Sequence, residues 1–377
     1  MDAISNNSLQ NNSTQTLEQA TSVNTPAQEP TFSIVLLHGL MANENELEPI
    51  ASKILDKFGR TAFVIQPTCR RGTKSITSSI KNQAGKILKQ IHTELDACNK
   101  QSKSLPIFII GYSQGGVLAC LLGKHYRDDL NIRGIVTINS PLGGAPLLER
   151  SRSDVQRFMA DAQEGLQRIT SRTLSSIQKE MKLGAFALTI VSQRWIPIPC
   201  VGGLKGIFPN SSSVQDVYGF LRDGDAHDIP CLLIAGYEND FKNLFSNISF
   251  KDSGAVEAMK ALNNAYAEFV TGKSSGKHDT LIPLGSQLGR GSSFDDLTSL
   301  TDTNNPIVMP MPNQPNVEGR IYKNIAHAGN LIAIDADLFI NSNTTETVLR
   351  AGQISNDLML HIEKWVQALQ KDLEVGF

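Results

Sequence analysis

Short apolar runs separated by longer stretches of helical period organise this chain. The runs Phe32 to Leu37, Ala62 to Gln66, Pro106 to Ile110, Gly134 to Asn139 and Pro230 to Gly236 read as strands, with Arg320 to Ile325 as a sixth. Helical patterns lie near Glu44 to Phe58, Ser79 to Lys100 and Gly115 to Tyr126. A last one runs from about Thr345 to Leu373, with Val348, Leu349, Leu358, Ile362, Trp365 and Leu369 at helical spacing. Apolar strands alternating with helices predict the α/β class, a mostly parallel central sheet of about six strands covered by helices on both faces.

One region breaks the alternation. From Pro146 to Val201 an amphipathic pattern puts Val155, Phe158, Met159, Ala162, Leu166 and Ile169 on one face, followed by the apolar stretch Ala185 to Pro199 with Trp195. The expectation is a helical insertion above the sheet at about residues 146–201. A lid lining an acyl pocket and a helical subdomain packed on the core give the same pattern, so both readings stand.

Composition narrows the class. With 377 residues, 40% of them hydrophobic, the chain can bury one large core or two modest ones. A net charge of -2 gives no reason to expect nucleic acid as a partner. Residues 1–30 hold no Lys or Arg and no apolar core, which excludes an ordinary secretory signal; they read as a disordered polar leader, with the folded domain at 31–377. No apolar run approaches the roughly 18 residues of a membrane span. The five cysteines, Cys69, Cys98, Cys120, Cys200 and Cys231, are odd in number and widely spaced, so free thiols in a reducing cytoplasm are expected, with leaderless export as the other route.

The chemistry gathers around Gly111-Tyr112-Ser113-Gln114-Gly115, which follows one apolar strand and opens a helix. Gly-x-Ser-x-Gly in that setting is a turn so tight that only small residues fit beside the serine, whose hydroxyl is pushed above the sheet edge. An attacked carbonyl then needs donors for its developing negative charge. The backbone N–H groups of Gln114, just after the serine, and of Leu40, after His38-Gly39 at the end of the first strand, are the candidates. His38, Gly39 and Tyr112 are expected to line the substrate around them.

Three segments together, Leu37-His38-Gly39-Leu40, Gly111-Tyr112-Ser113-Gln114-Gly115-Gly116 and Thr137-Ile138-Asn139-Ser140-Pro141-Leu142-Gly143-Gly144, resemble an α/β-hydrolase of the lipase and esterase kind. The likeness covers about residues 32–145. It implies an acid and then a histidine after the serine. Asp279, in His278-Asp279-Thr280-Leu281-Ile282-Pro283, is similar to the lipase pattern around the acid, with Thr280 where glycine is usual; Asp240, after Cys231 to Ala235, is the alternative. His327, in Ile325-Ala326-His327-Ala328-Gly329, is the expected base. Of the other histidines, His361 reads as a helical boundary residue and His92, His125, His227 and His278 as solvated.

The resemblance implies a serine hydrolase of carboxylic esters, with lipid or long-acyl substrates and an acyl-enzyme on Ser113. Acyl-protein thioesterase, acyltransferase and a non-catalytic interaction protein on the same scaffold are the alternatives. Transient contact with a membrane or micelle through the insertion fits a greasy substrate. No cofactor is expected and no metal either, because Gly329 stands where some bacterial lipases carry a calcium-binding Asp.

Overall fold

The computed structural model describes residues 29–98, 105–166, 201–222, 228–240, 253–290, 306–311, 314–327, 346–349 and 351–375. The polar leader up to residue 28, the stretch Ala185 to Pro199 with Trp195, and Cys200, His227 and Gly329 lie outside these residues.

In chain order the elements are β1 (Phe32–Leu37), α1 (Glu48–Phe58), β2 (Ala62–Ile65), α2 (Lys74–Thr77), α3 (Ile80–Ala97), β3 (Ile107–Tyr112), α4 (Gln114–Tyr126), β4 (Ile132–Ile138) and α5 (Arg152–Leu166). There follow α6 (Gly202–Lys205), α7 (Ser212–Arg222), β5 (Cys231–Tyr237), α8 (Ser253–Thr271), α9 (Leu284–Gln287), β6 (Ile307–Met311), β7 (Gln314–Lys323), β8 (Ile325–Ala326), β9 (Glu346–Thr347) and α10 (Gly352–Val375).

Among the described residues the main sheet has seven strands in the order β2-β1-β3-β4-β5-β7-β6. All neighbours are parallel except β6 and β7, which run antiparallel. The pattern of six apolar runs missed β6, whose Ile-Val-Met-Pro-Met sequence does not read as a strand. Pro310 donates no ladder hydrogen bond and is tolerated here because β6 is an edge strand.

Residue parity along β1 builds the core. Val35 and Leu37 pack with Ile109 of β3, Val117 and Leu118 of α4 and Phe220 of α7 on one face. Ile34 and Leu36 pack with Phe108 and Ile110 of β3, Ile54 of α1 and Leu358 and Ile362 of α10 on the other. Burying each such side chain contributes about 1.5–3 kcal/mol, so the helices are held by the sheet rather than by their own propensity. The terminal helix starts at Gly352 rather than near Thr345, because Glu346 and Thr347 pair with β8.

The face of α5 matches the helical pattern, with Phe158 and Ala162 buried. Phe158 stacks on Phe269 of α8 with ring centroids 4.8 Å apart and touches Tyr266. Cys120 and Cys231 are buried free thiols, Cys69 is half-buried and Cys98 is exposed. Among the described residues, no helix is long and apolar enough to cross a membrane.

Candidate active site

β3 ends at Tyr112 and α4 begins at Gln114, leaving Ser113 alone in the turn with φ 52° and ψ -124°. Positive φ is strained for a serine and persists only when the surroundings dictate it. Here they do: a Cβ on Gly111 would fall 2.3 Å from the Gly115 carbonyl oxygen, and one on Gly115 would fall 2.0 Å from that of Leu37. The Ser113 N–H is tied to Ile138 O at 2.9 Å, which fixes the turn against β4.

The sheet order brings three distant side chains to this edge. His327 follows β8 with its Nε2 3.0 Å from Ser113 Oγ and its Nδ1 2.7 Å from Asp279 Oδ2. A carboxylate oxygen only accepts, so the imidazole proton sits on Nδ1 and the Nε2 lone pair faces the hydroxyl. Asp279 is fully buried, and its charge is answered by four donors. Oδ2 accepts from His327 Nδ1 and from Asn139 Nδ2 at 2.8 Å, while Oδ1 accepts from the Leu281 and Ile282 N–H groups at 3.1 and 2.8 Å.

The backbone joins the same group of residues. His327 N donates to Asp279 O at 2.6 Å. Tyr112 Oη donates to His327 O at 2.6 Å, and its ring stacks on the imidazole at 5.3 Å. Tyr112 is buried, so it supports His327 from behind.

The loop after β1 lies against Ser113, where a Cβ on Gly39 would fall 3.3 Å from the Ser113 Cβ. Among the described residues, the Leu40 and Gln114 N–H groups donate to no protein acceptor. The peptide planes around Leu40 are fixed. His38 is buried and its Nδ1 donates to Gly39 O at 2.8 Å, holding the carbonyl of the very peptide whose N–H belongs to Leu40. Met41 N donates to Ser75 Oγ at 2.7 Å. Burial, helped by the nearby Arg70 guanidinium, pushes the His38 imidazole down to about 4, so it is neutral at physiological pH. Gly39 N donates to Glu46 Oε2 at 2.6 Å. Burial raises the Glu46 carboxyl above its ordinary range, against the Gly39 hydrogen bond and the His327 and Arg70 charges that lower it.

The other candidates lie elsewhere. Asp240 takes a hydrogen bond from Asn263 Nδ2 at 3.1 Å and its N–H donates to Glu238 Oε1, with no hydrogen bond to either Ser113 or His327 among the described residues. His278 is buried rather than solvated: its Nδ1 accepts the Thr280 N–H at 3.1 Å, its ring meets Tyr266 edge-on, and desolvation pushes it down to about 4. His361 is buried, with Nδ1 on Asp357 O. Thr280 adopts φ 86°, which accounts for glycine being usual at that place in the pattern. Among the described residues no group of three or more His, Cys, Asp and Glu is arranged to hold a metal ion.

Sequence reasoning missed Asn139, Arg70 and Glu46. Asn139 carried a readable signal, a polar residue at the carboxyl end of a buried parallel strand. Arg70 and Glu46 carried none, since single charged residues in loops are ordinarily solvated.

Residues 33–186 match the family model described as palmitoyl protein thioesterase. No curated protein sequence matches the chain. Among solved structures, a gene product of Listeria innocua is similar at 11% identity over 89% of this chain and 94% of that one, with a TM-score of 0.42. A phospholipase from Legionella pneumophila is similar at 13% identity over 91% and 65%, with a TM-score of 0.43. A soluble variant of monoglyceride lipase from Saccharomyces cerevisiae, in complex with a substrate analog, is similar at 12% identity over 91% and 89%, with a TM-score of 0.40. The seven-stranded, mostly parallel sheet and the strand–serine–helix turn give this chain an α/β-hydrolase fold.

Proposed function

We propose that the chain is a serine hydrolase that cleaves a long-acyl carboxylic ester through an acyl-enzyme on Ser113. The observation that carries the reading is the unbroken contact series from Ser113 Oγ through the His327 ring to the Asp279 carboxylate. His327 Nε2 takes the Ser113 proton as Oγ attacks the acyl carbon, and the imidazolium that forms is stabilised by Asp279. The carbonyl oxygen becomes an oxyanion, to which the Leu40 and Gln114 N–H groups donate. His327 then protonates the leaving alcohol, giving the acyl-enzyme. Water, deprotonated by the same nitrogen, attacks the ester, and the carboxylic acid leaves as Ser113 regains its proton. The folded unit is read as 31–377 with the helical insertion, whose described helix α5 packs its apolar face against α8.

A second reading has its own support. The family model covering residues 33–186 is a thioesterase model, and the same steps release a thiol in place of an alcohol. The experiment is a rate series on p-nitrophenyl esters from short to long acyl chains, run beside an S-palmitoyl peptide, with wild type and Ser113→Ala. Long-chain ester hydrolysis that vanishes in Ser113→Ala supports the first reading. Hydrolysis of the thioester alone supports the second, and activity that survives Ser113→Ala overturns both.

A further inference from the structure

Two side chains that the acyl-transfer scheme leaves unused hold one peptide bond from opposite ends. The bond joins His38 to Gly39. Its carbonyl oxygen accepts from Arg70 Nη1, and its N–H donates to Glu46 Oε2 at 2.6 Å. The cation thus meets the negative end of the peptide dipole and the carboxylate meets the positive end. Turning the peptide over would set carbonyl against carboxylate and N–H against guanidinium, losing two charge-assisted hydrogen bonds and opposing both charges.

The placement of Arg70 argues for a dedicated role. It is 1% exposed, an expensive location for a guanidinium. Its remaining bonds run from Nε to Gln83 Oε1 at 3.0 Å and from Nη2 to Gln114 Oε1 at 2.8 Å, both neutral amide oxygens. Arg70 therefore ties the loop after β1, one peptide before the Leu40 N–H, to the side chain of Gln114, which carries the other candidate donor. Glu46 stands just behind Gly39, where an added Cβ would lie 3.2 Å from its Oε2 and 3.3 Å from the Ser113 Cβ. Gly39 has no Cβ to restrict its backbone, so the direction of the next N–H, that of Leu40, depends on the hydrogen bonds that hold the peptides on its two sides, the Arg70 and Glu46 pair on one and His38 Nδ1 to Gly39 O on the other.

We propose that Arg70 and Glu46 form a peptide clamp that aims the Leu40 N–H at the oxyanion, which makes them positioning residues for acyl transfer; the inference rests on the serine-hydrolase reading above. The clamp acts on the transition state and leaves ground-state substrate binding alone, so its loss appears in kcat and not in KM.

The test uses the full chain as wild type, Ser113→Ala, Glu46→Leu, Glu46→Gln and Arg70→Met, with a p-nitrophenyl ester as substrate and a long-chain trifluoromethyl ketone as a mimic of the tetrahedral oxyanion. Glu46→Leu keeps the volume and removes the acceptor. It should lower kcat about tenfold, leave KM within about twofold, and weaken the ketone by the same factor as kcat. Glu46→Gln keeps an oxygen for the Gly39 N–H and should return kcat to within about threefold of wild type. Arg70→Met should repeat the Glu46→Leu pattern; if it does not fold, the two Glu46 variants decide. Ser113-dependent activity with kcat and ketone affinity unmoved in Glu46→Leu, or Glu46→Gln as impaired as Glu46→Leu, overturns the clamp alone. Activity that survives Ser113→Ala overturns the hydrolase reading and the clamp with it.

Discussion

Asn139 donates through Nδ2 to Asp279 Oδ2 at 2.8 Å, the same carboxylate oxygen that His327 Nδ1 faces. Its backbone has φ 42°, a left-handed conformation that asparagine tolerates better than most residues. Replacing Asn139 with glycine keeps that backbone permissible while removing the amide, so the effect isolates one hydrogen bond to a buried charge. Such a bond contributes about 1.5–3 kcal/mol, and Asn139→Gly is expected to lower kcat roughly tenfold or more with KM little changed. Steady-state kinetics on a soluble ester checks this, and an unchanged kcat removes Asn139 from the site.

Asp279→Asn exchanges an acceptor for a group that can present an N–H to His327, which favours the wrong tautomer. On the proposed mechanism kcat should fall by a factor on the order of 10⁴, with the fold intact by circular dichroism. Asp240→Asn should leave kcat within about twofold, since Asp240 hydrogen-bonds Asn263 and not the His327 ring. Reversed effects would exchange the two acids.

Thr280 is strained at φ 86°, and its buried Oγ1 has no hydrogen-bond partner. Glycine relieves both defects at the cost of one methyl group. Tyr266 still donates to the main-chain oxygen of residue 280, as it does now at 2.7 Å. Thr280→Gly is expected to stabilise the chain by about 1 kcal/mol, read as a rise of about 1 °C in Tm.

Acid should weaken the fold through two histidines. His38 and His278 are held down to about 4, against 6.5 when unfolded, so the unfolded chain binds protons first as pH falls. Their contribution is complete above pH 6.5 and is lost between 6.5 and 4, by up to about 3 kcal/mol each. Glu46 acts in the opposite sense, because its carboxyl is raised by burial and acid favours its folded form. Thermal melts between pH 7.5 and 4.5 should show a falling Tm, with a shallower slope in His278→Gln. Equal slopes would mean that His278 is not buried in solution.

The sheet and the Gly-x-Ser-x-Gly turn were legible because both obey short-range rules. Five runs became β1 to β5 within a few residues, since strands buried on both faces are continuously apolar. The elbow could be read because steric crowding admits only glycine at 111 and 115. β6 escaped because proline at an edge breaks the pattern without breaking the strand. His278 was misread as solvated: a histidine flanked by Lys277 and Asp279 looks exposed, whereas in the fold Tyr266 packs against its ring and the Thr280 N–H occupies its Nδ1. Arg70 and Glu46 share a peptide bond neither belongs to, a relationship that exists only after folding.

The most direct test of the central claim is covalent labelling by a fluorophosphonate, followed by intact mass and peptide mapping. The account predicts one adduct per chain, carried by Ser113, and slowed by at least about a hundredfold in His327→Ala. No adduct on folded wild-type protein, or an adduct at Ser113 formed equally fast without His327, would contradict it.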